Sequence, residues 1–279
     1  MSYKIVVDSC GELTEEMKAS GYFETASLSM EVGGRHIPDD ETFDQKEFLR
    51  LVAQAPECPK SSCPSPQRYM EACCGQEERI YIVTLSSRLS GSYNSAMLGR
   101  KLYLEEHPHK DIYVFDSRSA SVGETLIALK IRECEQREMS FQKVVDTVEE
   151  YIKGQSTYFV LETLDTLRKN GRLTGLKAIM ATALHIKPVM TANEAGEIAE
   201  VAKCRGTKKA LSKLVEAVVR SVRSPQEKIL AISHCNCRER AESVKAMLLE
   251  KETFGDVIIL DTAGISSMYA ADGGIIVVV

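Results

Sequence analysis

Nowhere in the 279 residues is there a run of about 18 apolar side chains, so no segment reads as a membrane-spanning helix and no stable membrane insertion is expected. The opening Met1-Ser2-Tyr3-Lys4-Ile5-Val6-Val7-Asp8 is no signal peptide, because its apolar run is short and ends in a charge. A cytoplasmic location is the expectation. An excess of positive charge is also missing. Lys and Arg total 35 against 40 Asp and Glu, a net charge of −5, which argues against a general nucleic-acid surface. No Gly-Lys-Ser or Gly-Lys-Thr occurs, so there is no Walker A loop. Gly-x-Ser-x-Gly is absent too, since Ser92 follows Gly91 directly. The nine cysteines lack metal-site spacing: Cys73-Cys74 are adjacent, and Cys10, Cys58, Cys63, Cys134 and Cys204 are scattered. His234-Cys235-Asn236-Cys237 is a cluster without the second half of a zinc site. Reduced thiols, no metal and no cofactor are expected.

What is present is an alternation. Short apolar runs at Tyr3–Asp8, Ile80–Leu85, Ile112–Asp116, Tyr158–Leu161, Ile229–Ser233, Val257–Leu260 and Gly274–Val279 read as strands. Runs this uniformly apolar suit strands covered on both faces. Between them lie amphipathic helices. Leu211, Leu214, Val215, Val218 and Val219 fall on one face, as do Ala241, Val244, Met247 and Leu248. The pattern predicts an α/β protein of two domains. Residues 1–154 would form a three-layer α/β domain on a mostly parallel sheet, and residues 155–279 an α/β domain with a mixed sheet. The boundary follows the helix Phe141–Lys153. Two hairpins interrupt the alternation, at Leu28–Pro38 and Ile186–Lys203. A further helix would carry Leu176, Ile179, Met180, Ala183 and Leu184 on one face. That face is either core or the wall of a cleft that surrounds an alkyl chain.

Two serine-rich turns carry the functional signal. Ser86-Ser87-Arg88-Leu89-Ser90-Gly91-Ser92-Tyr93-Asn94-Ser95 lies between a strand and a helix. Ser90 is placed to cap that helix, and Gly91 and Ser92 would offer free N–H groups. A helix start of this kind attracts carboxylate or phosphate. Ser61-Ser62-Cys63-Pro64-Ser65 repeats the chemistry before the helical stretch Gln67–Cys74. In α/β folds ligands gather beyond the carboxyl ends of the strands, where Asp8-Ser9, Asp116-Ser117 and the Ser86–Ser95 turn all lie. Hydroxyl-bearing turns without an adjacent acid suggest holding an anion more than breaking a bond.

Together these segments resemble the DegV family of fatty-acid-binding proteins. The family's opening strand ends Asp-Ser, as Asp8-Ser9 do. Its Thr-Ser-x-Pro-Ser is matched by Ser61-Ser62-Cys63-Pro64-Ser65, and its Ser-Ser-x-Leu-Ser-Gly-Thr-Tyr by Ser86–Tyr93. Its Asp-Ser and Gly-led helix are matched by Asp116-Ser117 and Ser121-Val122-Gly123. Its Leu-x-Lys-Gly-Gly-Arg and Ile-Lys-Pro are matched by Leu167–Arg172 and Ile186-Lys187-Pro188. The order is kept over nearly the full length. The resemblance implies one long-chain fatty acid buried between two α/β domains, with no chemistry done by the binding protein. Its carboxylate would be held by Ser61 and Ser90, with Ser62, Gly91, Ser92 and Arg172 in support. For some members it also implies a separate fatty-acid kinase as partner. One segment departs: the family's His-x-Gly-Pro-Gly reads Tyr269-Ala270-Ala271-Asp272-Gly273 here. Tyr269 in place of His bears on the kinase step, not on lipid binding.

The competing readings are a serine hydrolase or acyltransferase using Ser90, and a phosphoryl-transfer enzyme. The first needs a base within hydrogen-bond reach. The histidines are His36, His107, His109, His185 and His234, and only His234 follows a strand at a turn. The second lacks a paired-carboxylate metal motif.

Overall fold

The computed structural model describes residues 2–173 and 186–279. Its first sheet runs in the order Phe23–Ala26, Tyr3–Asp8, Arg79–Thr84, Asp111–Asp116, all parallel. Side chains alternate across this sheet, and both faces are covered. Ile5, Val7, Tyr81, Val83 and Phe115 pack with Ile127, Ile131, Val144 and Val148 of the helices Val122–Gln136 and Phe141–Lys153. Val6, Ile80, Ile82 and Val114 pack with Tyr69, Ala72, Ala96 and Tyr103 from the opposite side. Two buried faces explain why Tyr3–Asp8, Arg79–Thr84 and Asp111–Asp116 read as apolar runs; the edge strand Phe23–Ala26, half polar, escapes that reading. Parallel register brings Asp8, Thr84 and Asp116 to one carboxyl edge.

The second sheet has six strands, in the order Ile198–Arg205, Ile186–Ala192, Thr157–Val160, Ile275–Val278, Ile229–His234, Asp256–Asp261. It is mixed: the pair Ile229–His234 and Asp256–Asp261 is parallel, and the others are antiparallel. Leu211, Leu214, Val215, Val218, Val244 and Leu248 cover one face of it. The strands of the first sheet thus lie within residues 3–116 and those of the second within 157–278. The helical face predicted over 176–184 lies outside the described residues.

A third, small antiparallel sheet contains Arg35–Pro38, Ser29–Val32 and Lys60–Ser62. The sequence reads Ser61-Ser62 as part of a turn, and here the structure differs. Met30 pairs with Ser61 and Ser29 with Ser62, which draws the two serines into a strand. Ser65 then caps the helix Pro66–Ala72, accepting from the Arg68 N–H at 3.2 Å.

The halves are joined by apolar contact. Val122 and Leu126 at the start of one helix pack on Ala231 and Val278 of the second sheet. Leu28, Met30, Phe48 and Leu85 of the first half enclose Ile265 and Met268 of the helix Gly264–Ala270. The hairpin tip Asn193–Gly196 also reaches across: Ser86 Oγ donates to the Gly196 carbonyl at 2.7 Å. Gly196 has φ +80°, and a Cβ there would lie 2.4 Å from Ser86 Oγ and 2.8 Å from Arg118 Cα, so glycine is required twice over.

Candidate functional site

An apolar cavity lies between the halves, beyond the carboxyl edge of the first sheet. Leu28, Leu85 and Leu89 line it from one side, and Phe159, Leu161, Ile198 and Ile276 from the other. Thr157, Phe159 and Leu161 alternate toward it along one strand direction. At about 3.3 Å per residue the cavity therefore follows roughly 13 Å of that strand. Leu161 marks one end, where Ala270 and Tyr269 cluster with it. Thr157 marks the other.

At the Leu161 end the polar groups converge. Ser61 Oγ and Tyr269 OH are 2.9 Å apart, and both residues line the cavity with Ser90 and Arg172. Arg172 Nε donates to the Leu89 carbonyl at 3.0 Å, and Nη1 donates to the Asn170 carbonyl at 2.5 Å. A guanidinium is thereby fixed beside the serine turn. Burial raises the Tyr269 phenol above its ordinary value, more than the Ser61 hydrogen bond and the Arg172 charge lower it, so Tyr269 is a neutral donor at pH 7. Ser90 Oγ accepts from the Ser92 N–H at 3.2 Å. Accepting that bond leaves the Ser90 hydroxyl hydrogen available to a ligand. Two neutral hydroxyl hydrogens and a nearby cation are groups of the kind that can hold a carboxylate.

The remaining sequence-predicted residues lie elsewhere. Gly91, not Ser90, takes the cap position of the helix Ser92–Glu106 and is exposed, outside the cavity lining. Ser62 is exposed and outside the lining, as the two-residue period of its strand dictates when Ser61 faces in. Ser92 is fully buried away from the cavity. Its hydroxyl donates to Asp8 Oδ2 at 2.6 Å and lies 2.6 Å from Tyr69 OH, which must supply the hydrogen of that contact. Asp8 accepts further from the N–H groups of Cys10 and Leu85. The serine turn is thus anchored from below on a buried carboxylate.

A second set of carboxyls seats the helix that carries Tyr269. Asp39 accepts from the N–H groups of Gly264 (2.7 Å) and Ile265 (2.9 Å), two of the donors a helix start leaves unpaired. Glu12 accepts from the Ser121 hydroxyl at 2.8 Å and from the Ala263 N–H at 3.4 Å. Burial pushes Glu12 up to about 7 and Asp39 up to about 6, against hydrogen bonds that favour the charged forms. Gly264 is needed there, because a Cβ would come 2.6 Å from Asp39 Oδ1. Glu12 and Asp39 were not legible as site residues, since each works through a partner more than 200 residues away.

None of the four described histidines lines the cavity. His234 instead turns Nδ1 toward Asp261 at 3.3 Å. Among the described residues no group of three His, Cys, Asp or Glu could hold a metal ion, and no helix is long and apolar enough to cross a membrane.

The family model described as "Uncharacterised protein, DegV family" matches residues 2–279. A DegV domain-containing protein of Streptococcus gordonii is 32% identical over 278 residues, covering 99% of this chain and 98% of that one. A DegV-family structure from Ruminococcus gnavus, described with vaccenic acid, is 56% identical over 100% of both chains, with a TM-score of 0.98. The Streptococcus pneumoniae Fatty Acid Kinase (Fak) B3 protein, loaded with linoleic acid, is 31% identical over 100% of this chain and 99% of that one, with a TM-score of 0.89. A DegV-family structure from Eubacterium eligens, loaded with heptadecanoic acid, is 28% identical over 99% of both chains, with a TM-score of 0.90.

Proposed function

This chain belongs to the DegV family, and from that premise we propose that it binds one long-chain fatty acid without transforming it. The observation that carries the reading is the apolar cavity with Ser61, Tyr269, Ser90 and Arg172 gathered at one end. Burying the alkyl chain contributes about 0.8 kcal/mol per methylene, so the tunnel dominates affinity. Hydrogen bonds to a charged carboxylate add about 1.5–3 kcal/mol each and set the orientation. Ser61 and Ser90 donate to the carboxylate, Tyr269 orients Ser61, and Arg172 pins the Ser90 turn while lending positive charge. Neutral donors in direct contact spare the fold the desolvation of a buried cation.

The likeness to the Fak B3 protein supports a carrier role, in which the bound acid is presented to a fatty-acid kinase. A hydrolase or acyltransferase is disfavoured because Ser90 has no histidine beside it among the described residues. The test is extraction of lipid from purified, denatured protein, followed by binding of added palmitate and oleate to the delipidated chain. Stoichiometric long-chain acid, micromolar or tighter rebinding and no turnover of model acyl esters are expected. Absence of lipid together with failure to rebind any added acid would sink the proposal.

A further inference from the structure

The far end of the tunnel is not built for a methyl group alone. Its wall there is a hydroxyl pair, Ser119 Oγ and Thr157 Oγ1, 2.6 Å apart and both buried. Arg118 stands beside the pair in a left-handed conformation (φ +50°), held by its N–H bond to Asp116 Oδ1 at 3.1 Å. It forms no ion pair among the described residues. Behind this wall lies a second cavity of about 550 Å³. Arg118, Ser119, Thr157 and Ala192 line both cavities, so they are the partition between them. The second cavity is polar, with Ser117 and Lys153 on its walls, and the buried Gln155 Oε1 there has no hydrogen-bond partner among the described residues.

We propose that the tunnel accepts long-chain acids whose far terminus carries oxygen, a hydroxyl or a second carboxylate, received by the Ser119–Thr157 pair and Arg118. The inference rests on the fatty-acid reading above and names the substrate class more closely. Ser119 Oγ also lies 3.4 Å from the Ala120 carbonyl, and when it donates to Thr157 instead, the Thr157 hydrogen and the lone pairs of the pair are open to a ligand. A methyl terminus leaves the pair intact, whereas a terminal hydroxyl joins it. A terminal carboxylate meets the Arg118 guanidinium, with the second cavity supplying water to its remaining oxygen. A wholly apolar end would instead bury the terminal hydroxyl unpartnered and weaken binding by about 5- to 150-fold.

The delipidated full chain is titrated with hexadecanoic, 16-hydroxyhexadecanoic and hexadecanedioic acids. The same comparison is made in the tetradecanoic and octadecanoic series, so that the terminus samples the wall at different depths. In at least one series the oxygenated acids should bind within about threefold of the parent. Thr157→Val should raise the hydroxy-to-parent Kd ratio at least about fivefold. Arg118→Gln should raise the diacid ratio by a similar factor and leave the hydroxy ratio unmoved. Parent acids that bind while every oxygenated acid binds more than about tenfold weaker would overturn this inference alone. Ratios unmoved by both variants would do the same. Failure of the parent acids themselves would overturn the fatty-acid reading and this inference with it.

Discussion

Replacing Ser92 by alanine should destabilise the fold strongly and leave fatty-acid affinity nearly unchanged. The hydroxyl is fully buried between Asp8 and Tyr69, at 2.6 Å from each. Its removal takes a hydrogen bond from a buried carboxylate, about 1.5–3 kcal/mol, and orphans the Tyr69 hydroxyl, about 1–3 kcal/mol. Asp8 keeps the Leu85 and Cys10 N–H groups, so the total should be about 2–5 kcal/mol. That is a large share of the roughly 5–15 kcal/mol that holds a typical domain. The assay is urea unfolding of delipidated protein, because a bound lipid would stabilise the native state by mass action. Tyr69→Phe supplies the control. It removes a donor while Ser92 retains Asp8, and should cost about 1 kcal/mol. The double variant should cost less than the two singles added, because the orphaned phenol is gone. A Ser92→Ala protein of unaltered stability that binds palmitate tenfold or more weakly would refute the reasoning and put Ser92 at the ligand.

Ser61→Ala and Ser90→Ala should each weaken binding by about 1–3 kcal/mol, measured by titration, and unaltered affinity in both singles and the double would place the carboxylate elsewhere. Glu12 titrates near 7 in the fold against 4.5 when free, so between those values the native state holds a proton that the unfolded chain has lost. Stability should therefore fall as pH rises from about 4.5 to 7, by about 3 kcal/mol from this group, and urea midpoints of Glu12→Gln should show a shallower decline. Tyr269→His should increase acyl-phosphate formation by a fatty-acid kinase, because His carries positive charge near neutral pH and the raised Tyr269 phenol does not; strong phosphorylation of the unaltered chain that the substitution leaves unchanged would contradict this. Gly99→Ala should destabilise by about 1–3 kcal/mol in thermal unfolding, since its Cβ would meet the Pro66 carbonyl at 2.6 Å and Tyr69 Cβ at 2.9 Å.

Most strands of the two large sheets were legible because burial on both faces writes itself as an apolar run, but Phe23–Ala26, half polar and at a sheet edge, was not. Nor was Lys60–Ser62. It is short and polar, and pairing with Ser29–Val32 alone makes it a strand. The same pairing sets the two-residue period that turns Ser61 inward and Ser62 outward, which no turn reading resolves. The helix after the serine turn was legible, but its first residue was not. Gly91 takes the cap position, while Ser90 one residue earlier lines the cavity and still accepts from the Ser92 N–H, and the buried hydroxyl of Ser92 goes to Asp8. Tyr269 was visible only as a departure from a family pattern. Its hydrogen bond to Ser61 spans 208 positions, and nothing local in the chain encodes it.

That long-range bond bears on how binding and folding are linked. The helix Gly264–Ala270 belongs by chain order to the second half, yet Asp39 and Glu12 of the first half hold its first turn. Ile265 and Met268 of the same helix sit among Leu28, Met30 and Phe48. The polar cluster at that end of the cavity therefore exists only while the halves are docked, with Ser61 and Ser90 from one and Tyr269 and Arg172 from the other. A fatty acid touching both halves binds the docked state and not the separated one. Each tenfold excess of ligand over its Kd then adds about 1.4 kcal/mol to docking. Contacts that fix the helix on Asp39 and Glu12 pre-form the polar cluster, and a ligand spanning the halves would in turn hold those contacts together.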